Sequence, residues 1–297
     1  MQDVYGKITA RILTALQAGV VPWQQPWNGG EGAPRNLISG KPYRGLNVWL
    51  LVHHGGSPFW LTYRQARQIG GYVKKGAKGE TVLFWQFKAR KRSDEGQAED
   101  EQGSAGAAGY VVARAYTVFN ATQCELPEQW AARVKEGQGE LGPEREPIDA
   151  CERIVEGMPG RPKINTGGDR AFYRPGTDEV TMPERERFAA RELYYSVLFH
   201  ELTHSTGHAG RLGRAGVTEA VGFGSTNYSK EELVAEMGAA FLCGVAGIEN
   251  RTVDTSAAYI KGWLKKLKDD PKMVVQAASQ AQRAADYILG AARPDAE

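Results

Sequence analysis

The sequence predicts an α+β fold: a small mixed α/β domain first, then a second domain that opens with a small sheet and continues as helices. Three observations carry this. The chain has 297 residues, more than one ordinary domain and well short of three. Two runs rich in aromatic and β-branched residues, Thr81 to Lys88 and Tyr110 to Phe119, stand among short helical segments in the first half. From Glu184 the pattern is mainly helical, with interruptions between Gly207 and Gly224.

The elements follow in order. Tyr5, Ile8, Ile12 and Leu16 fall at helical spacing with Lys7 and Arg11 between them, which is an amphipathic helix and not a signal peptide. Pro22 to Gly30 is turn-rich and carries Trp23 and Trp27. Leu46 to His53 reads as a short helix or a strand; periodicity does not separate the two. Thr62 to Ile69 reads as a helix closed by Gly70-Gly71. Lys74-Lys75-Gly76-Ala77-Lys78-Gly79 is a basic turn leading into the first strong strand. Ser93 to Gly109 is Gly, Ala and acid, with almost nothing to bury, and is expected to be a mobile hairpin loop. The polar stretch 127–147 is expected to be a linker between domains 1–126 and 148–297. Ile148 to Met158 then reads as a helix. Ala171 to Tyr173 and Glu179 to Met182 read as strands joined at Arg174-Pro175-Gly176-Thr177, where Pro and Gly suit a type II turn.

Composition is 41% hydrophobic and 24% charged, ordinary for a globular protein. No stretch approaches the roughly 20 apolar residues of a membrane span. Three well-spaced cysteines, Cys124, Cys151 and Cys243, make no disulfide framework and suit reduced thiols in a cytoplasmic protein. The net charge of +2 hides an asymmetry. Residues 1–92 carry 14 Lys and Arg against three acids, a net of +11, and the remainder of the chain is net acidic. A basic half beside an acidic one points to a nucleic-acid partner for the first half.

The clearest chemical motif is His200-Glu201-Leu202-Thr203-His204. Leu193, Val197 and Leu198 precede it on an apolar stripe, so the segment reads as helical. Histidines four residues apart then leave one face and can bind one cation. Glu201 lies beside that cation, placed to take a proton from water and pass it to a leaving amine. Zn2+ in such a site polarises a scissile carbonyl and lowers the pKa of a bound water to about 7; another divalent metal such as Mn2+ has the same donors available. A third ligand is required. Glu232 and Glu236 sit one turn apart on a helix reaching Leu242. Glu232 is assigned as the ligand, and Glu236 as the carboxylate that holds a ligating histidine in its tautomer. His208 competes as third ligand, but Gly207 is expected to end the helix first.

The basic half also holds five of the seven tryptophans. Single-stranded nucleic acid is bound by cations for its phosphates and aromatic platforms for its bases. Arg44, Arg64, Arg67, Lys74, Lys75 and Lys78 are the phosphate candidates, and Tyr43, Trp49 and Tyr63 the stacking candidates.

Taken together these motifs resemble the ArdC-like antirestriction family. The match runs through Pro42 to Asn47, Lys74 to Gly79 and Val118 to Asn120, then Tyr173 to Asp178, Met182-Pro183, His200 to His208, Arg211-Leu212 and Glu231 to Glu236. It covers almost the whole chain. The resemblance implies an N-terminal domain that binds single-stranded DNA and a C-terminal zincin-like metallopeptidase domain of the gluzincin type. It also implies a role in protecting conjugating plasmid DNA as it enters a recipient cell. Two other readings stay open: a DNA–protein crosslink protease of the SprT kind, and a DNA-binding module whose metal site is structural.

Overall fold

The computed structural model describes residues 4–24, 33–52, 56–88, 110–139, 147–219, 226–248 and 257–291. Helix α1 (Val4–Gln17) buries Ile8, Ile12 and Leu16, the stripe its spacing requires. A 3-10 turn at Pro22–Gln24 places Trp23 in the interior. β1 (Arg35–Asn36) follows, then α2 (Leu46–Val52). The ambiguous Leu46 segment is a helix because Leu46, Trp49 and Leu50, at i, i+3 and i+4, all reach the core. β2 (Phe59–Thr62) runs directly into α3 (Tyr63–Gln68). Thr62 caps α3, with its hydroxyl accepting from the Gln65 amide and the Gln65 side chain returning to Thr62.

β3 (Tyr72–Val73), β4 (Glu80–Lys88) and β5 (Tyr110–Asn120) come next. The first sheet has the order β1-β2-β5-β4, with β1 parallel to β2 and the other pairs antiparallel. At the outer edge of β4, the Asn47 side chain acts as a one-residue strand: its amide nitrogen donates to Leu83 O at 2.6 Å, and its oxygen accepts from Leu83 N at 2.7 Å. β6 (Cys124–Glu125) pairs with β3. The acidic segment Ser93 to Gly109 lies outside the described residues.

The stretch expected as a linker contains α4 (Glu128–Gly139). Val134 is buried and Trp130 packs beside it, in a cluster with Leu37, Phe59, Leu61, Ala66, Ala121 and Cys124. Its surface composition hid a helix with one apolar edge. The second half begins with α5 (Pro147–Gly157) and a sheet of β7 (Lys163–Thr166), β8 (Phe172–Arg174) and β9 (Glu179–Met182). β9 is central, parallel to β7 and antiparallel to β8; β7 is a strand beyond the two expected. The β8–β9 turn also differs from expectation. Gly176 does not take the left-handed conformation a type II turn needs, and Asp178 does, at φ 51°. Aspartate tolerates that region, and here its carboxylate accepts from Tyr173 and from both ends of the Arg211 guanidinium. The chain closes with α6 (Arg191–Ser205), α7 (Ala215–Thr218), α8 (Thr226–Ala246), α9 (Ala257–Asp269) and α10 (Met273–Ile288). Among the described residues, no helix is long and apolar enough to cross a membrane. All three cysteines are buried and unbridged.

The main core crosses the expected domain boundary. It joins Ile8, Ile12, Leu16, Trp23, Leu46 and Trp49 to residues of α5, α6, α8, α9 and α10. Trp49 stacks on Phe241 with ring centroids 4.6 Å apart, and Trp23 meets Trp263 edge-on at 6.2 Å. A fragment ending near Cys124 would strip those side chains of their partners.

Within this core α6 and α8 approach to backbone distance. A Cβ added at Gly238 would stand 2.5 Å from Thr203 Cγ2 and 2.7 Å from its Oγ1. Gly238→Ala is therefore expected to destabilise the fold by about 1–3 kcal/mol, with part of that stability recovered by adding Thr203→Ala. Denaturant unfolding of the two variants checks this; an unchanged midpoint for Gly238→Ala would contradict the close approach of the helices.

Candidate metal centre and basic surface

α6 presents His200, Glu201 and His204, with Leu198, Phe199 and Leu202 anchoring its other faces in the core. The Nε2 atoms of His200 and His204 lie 3.1 Å apart. Glu232 reaches in from α8, its Oε2 3.7 Å from His200 Nε2 and its Oε1 3.7 Å from His204 Nε2. The three ligand atoms fall within 4.8 Å of one another. Tetrahedral zinc with bonds of about 2.0–2.1 Å needs ligand atoms about 3.3 Å apart, so the arrangement fits one small divalent ion. The helix ends at Ser205, and a Cβ at Gly207 would strike Val217 at 2.5 Å. His208 accepts from the Gly210 amide at 3.1 Å and stands outside the group.

The charges are arranged to hold a cation. Burial disfavours a charged His204, yet Glu231, Glu232 and Glu201 together outweigh it and raise its pKa to about 9. Burial likewise disfavours ionised Glu232, but the two histidines and Tyr228 bring its pKa down to about 2. Tyr228, one turn earlier on α8, hydrogen-bonds Glu232 and feels the charge of Glu201. Glu201 itself is buried beside the histidines.

The carboxylate that meets a histidine of this group is that of Glu231, where Glu236 was expected. Glu231 Oε1 lies 3.3 Å from His204 Nδ1. A proton on Nδ1 leaves the Nε2 lone pair facing Glu232. Glu231 is gripped in turn by Arg214, whose Nε and Nη2 donate to its two oxygens at 2.9 and 2.6 Å. Arg214 also donates to Thr206 Oγ1 at 2.6 Å and to the Thr203 carbonyl at 2.7 Å. Glu236 is turned another way. It accepts from Trp23 Nε1 at 2.8 Å and from the Tyr259 hydroxyl. Burial raises its pKa to about 7 against the pull of those donors. Helical phase explains the correction: five residues at about 100° each carry Glu236 roughly 140° around α8 from Glu231. Arg214, Tyr228 and Tyr259 escape a sequence reading because nothing local marks them. Glu231 is visible beside Glu232 and needs only the phase of α8.

The basic residues divide in two. Tyr63, Arg64 and Arg67 on α3, and Lys74, Lys75 and Lys78 in the turn after β3, are all exposed on the outer surface. Lys74 is partly engaged, 3.6 Å from Glu125 and donating to the Thr122 carbonyl. Tyr43 and Trp49 are buried, 7% and 1% exposed, which removes them from the stacking candidates. Arg44 is ion-paired with Asp286 on α10, and the neighbouring Gly45 amide donates to Gln282 at 2.8 Å. Pro42 to Asn47 thus docks the first half onto the second and is not free to grip phosphate.

If Glu231 fixes His204, Glu231→Gln should weaken divalent-metal affinity by about 10–100-fold with little change in fold. Glu236→Gln should weaken it much less. Chelator competition on both variants decides; equal effects would return the orienting role to Glu236.

Comparison with known proteins agrees with this architecture. Residues 2–119 match the N-terminal domain of the anti-restriction factor ArdC, and residues 150–280 match a zincin-like metallopeptidase. Protein y4eC of Sinorhizobium fredii is 34% identical, covering 96% of this chain and 91% of its own length. An Escherichia coli DNA primase TraC is 36% identical over 95% of this chain, but the chain spans only 19% of that primase. The crystal structure of antirestriction protein ArdC from plasmid R388 superposes with a TM-score of 0.71 in its metal-free form, at 37% identity and 96% coverage of both chains. Its Mn(II)-bound form gives 0.72, at 35% identity and 99% coverage. The second half is thus a zincin-like domain whose donors suit a divalent metal, and the chain belongs to the ArdC antirestriction family.

Proposed function

We propose that this protein is an antirestriction factor that binds single-stranded DNA on its basic surface and hydrolyses peptide bonds at the α6–α8 metal site, protecting plasmid DNA on entry to a recipient cell. The observation that carries the hydrolytic part is the convergence of His200, His204 and Glu232, with Glu201 buried directly beside them. A bound Zn2+ or Mn2+ would supply Lewis-acid polarisation of the scissile carbonyl. Glu201, next to the ligands but outside the ligand group, is placed to accept a proton from water and return it to the leaving amine. Tyr228 hydrogen-bonds Glu232 and so helps to place it. A metal held only for structure needs no carboxylate in the position of Glu201, which favours the catalytic reading over the structural one.

The DNA-binding part rests on the cations of α3 and of the turn after β3, within the segment that carries +11. Phosphate neutralisation there is sequence-independent and screened by salt. Cytoplasmic action fits such a role.

Two measurements test these roles. Glu201→Gln should retain one divalent ion per chain and the wild-type unfolding midpoint, while any cleavage of an unfolded protein substrate, assayed with and without single-stranded DNA, disappears. Undiminished cleavage would refute the mechanism. Charge reversal at Lys75 and Lys78 should weaken binding of oligonucleotides of all sequences alike. It should also flatten the dependence of affinity on salt, by about 0.7 in slope for each phosphate no longer neutralised. A salt-independent wild-type affinity would count against the electrostatic surface.

A further inference from the structure

Five aromatic side chains are exposed among the described residues, and four of them, Tyr63, Tyr72, Phe84 and Tyr116, belong to the first sheet and the elements joined to it. Tyr63 and Tyr72 flank the basic residues already described. Phe84 and Tyr116 have no part in the metal site. We propose that Phe84 and Tyr116 form a base-stacking platform for single-stranded nucleic acid, with Arg114 as its cation. This rests on the DNA-binding reading above and adds a site to it.

The sheet register builds the platform. Val82 pairs with Tyr116 and Phe84 with Arg114, so all four side chains leave the same face. Val82 points into a buried cluster with Tyr43, Leu51, Trp60 and Val118. One step further along the strands the helix cover ends, and Phe84 and Tyr116 emerge 46% and 41% exposed. Their rings meet edge to face at 5.5 Å, and the inner side of Phe84 rests against Tyr43 at 6.1 Å. Tyr43 therefore braces the platform from below. Rings held this way lose little freedom when a base stacks on them.

The surroundings suit a nucleic acid better than an apolar protein segment. Arg114, opposite Phe84 on the same face, is exposed. An aromatic pair beside a guanidinium offers stacking and charge together, the combination single strands use. Lys78 precedes Phe84 by six residues, roughly 20 Å at strand spacing. The basic turn is held to β5 at Gly79, where a Cβ would strike Thr117 at 2.3 Å and Phe119 at 2.9 Å. One strand of a few nucleotides would reach from the lysines to the platform, within the roughly 4–16 nucleotides of comparable sites.

The test titrates the full chain with labelled oligothymidylate at several salt concentrations. The variants are Phe84→Leu and Tyr116→Leu, which keep apolar volume but lack the aromatic face, together with Phe84→Ala and Tyr116→Phe. Each Leu variant and Phe84→Ala should bind about tenfold more weakly with the salt slope unchanged, and Tyr116→Phe should bind as the wild type does. If Phe84→Ala unfolds, the Leu variants decide. Wild-type affinity in both Leu variants would overturn the platform while leaving DNA binding by the lysines intact. A wild-type dimer dispersed by Phe84→Leu with DNA affinity unaltered would assign the patch to a second copy, and also overturn it. No binding by the wild type would remove the DNA reading and the platform together.

Discussion

The metal site depends on α6 and α8 being able to touch. The proposed ligands His200 and His204 stand on one helix and Glu232 on the other, so the distance between helix axes sets the distance between ligand atoms. Small residues keep that distance short. Gly238 has no room for a Cβ against Thr203, and Ala235 and Ala239 on α8 and Ser196 and Ser205 on α6 are small and buried. An added side chain at that crossing would part the helices, and a ligand triangle a few ångströms across has no slack to absorb it.

Close packing alone would leave the imidazoles free to rotate. The Arg214–Glu231 pair removes that freedom. Both groups are buried, which costs several kcal/mol per ion before partners are counted. The cost is offset by the two parallel bonds to Glu231 and by the bonds from Arg214 to Thr206 and the Thr203 carbonyl. The result is a fixed acceptor at His204 Nδ1. Arg214 also ties the loop after α6 back onto the helix end, so the same guanidinium closes α6 and orients its last histidine. The pair is better understood as setting geometry than as adding net stability.

The first half is joined to this site by packing and by hydrogen bonds. Trp23 donates to Glu236, one turn beyond Glu232 on α8, and Tyr259 of α9 shares the same carboxylate. Arg44 and Gly45 reach α10, and Thr9 of α1 donates to the Pro271 carbonyl at 2.7 Å. Residues that look like an independent nucleic-acid module by charge are thus part of the interior that supports the metal helix. Exposed cations on α3 and in the turn after β3 leave a basic surface on the side of the first sheet.

The sequence by itself determined what local periodicity and chemistry can carry. Histidine spacing on an apolar helix placed His200 and His204 on one face, the segment from Thr62 to Ile69 ahead of Gly70-Gly71 became α3, and the long runs of aromatic and β-branched residues became β4 and β5. These depend on neighbours three or four residues away, or on the strand period of two. Tertiary structure decided everything that depends on which face meets which. Trp49 and Tyr43 have the composition of stacking residues and lie inside, because α2 packs between the first sheet and α8. Val134 turned an expected linker into a helix, since one apolar edge suffices when a partner is present. Glu231, and not Glu236, reached His204 because one residue step around α8 is about 100°, and only the position of α6 says which step faces the metal.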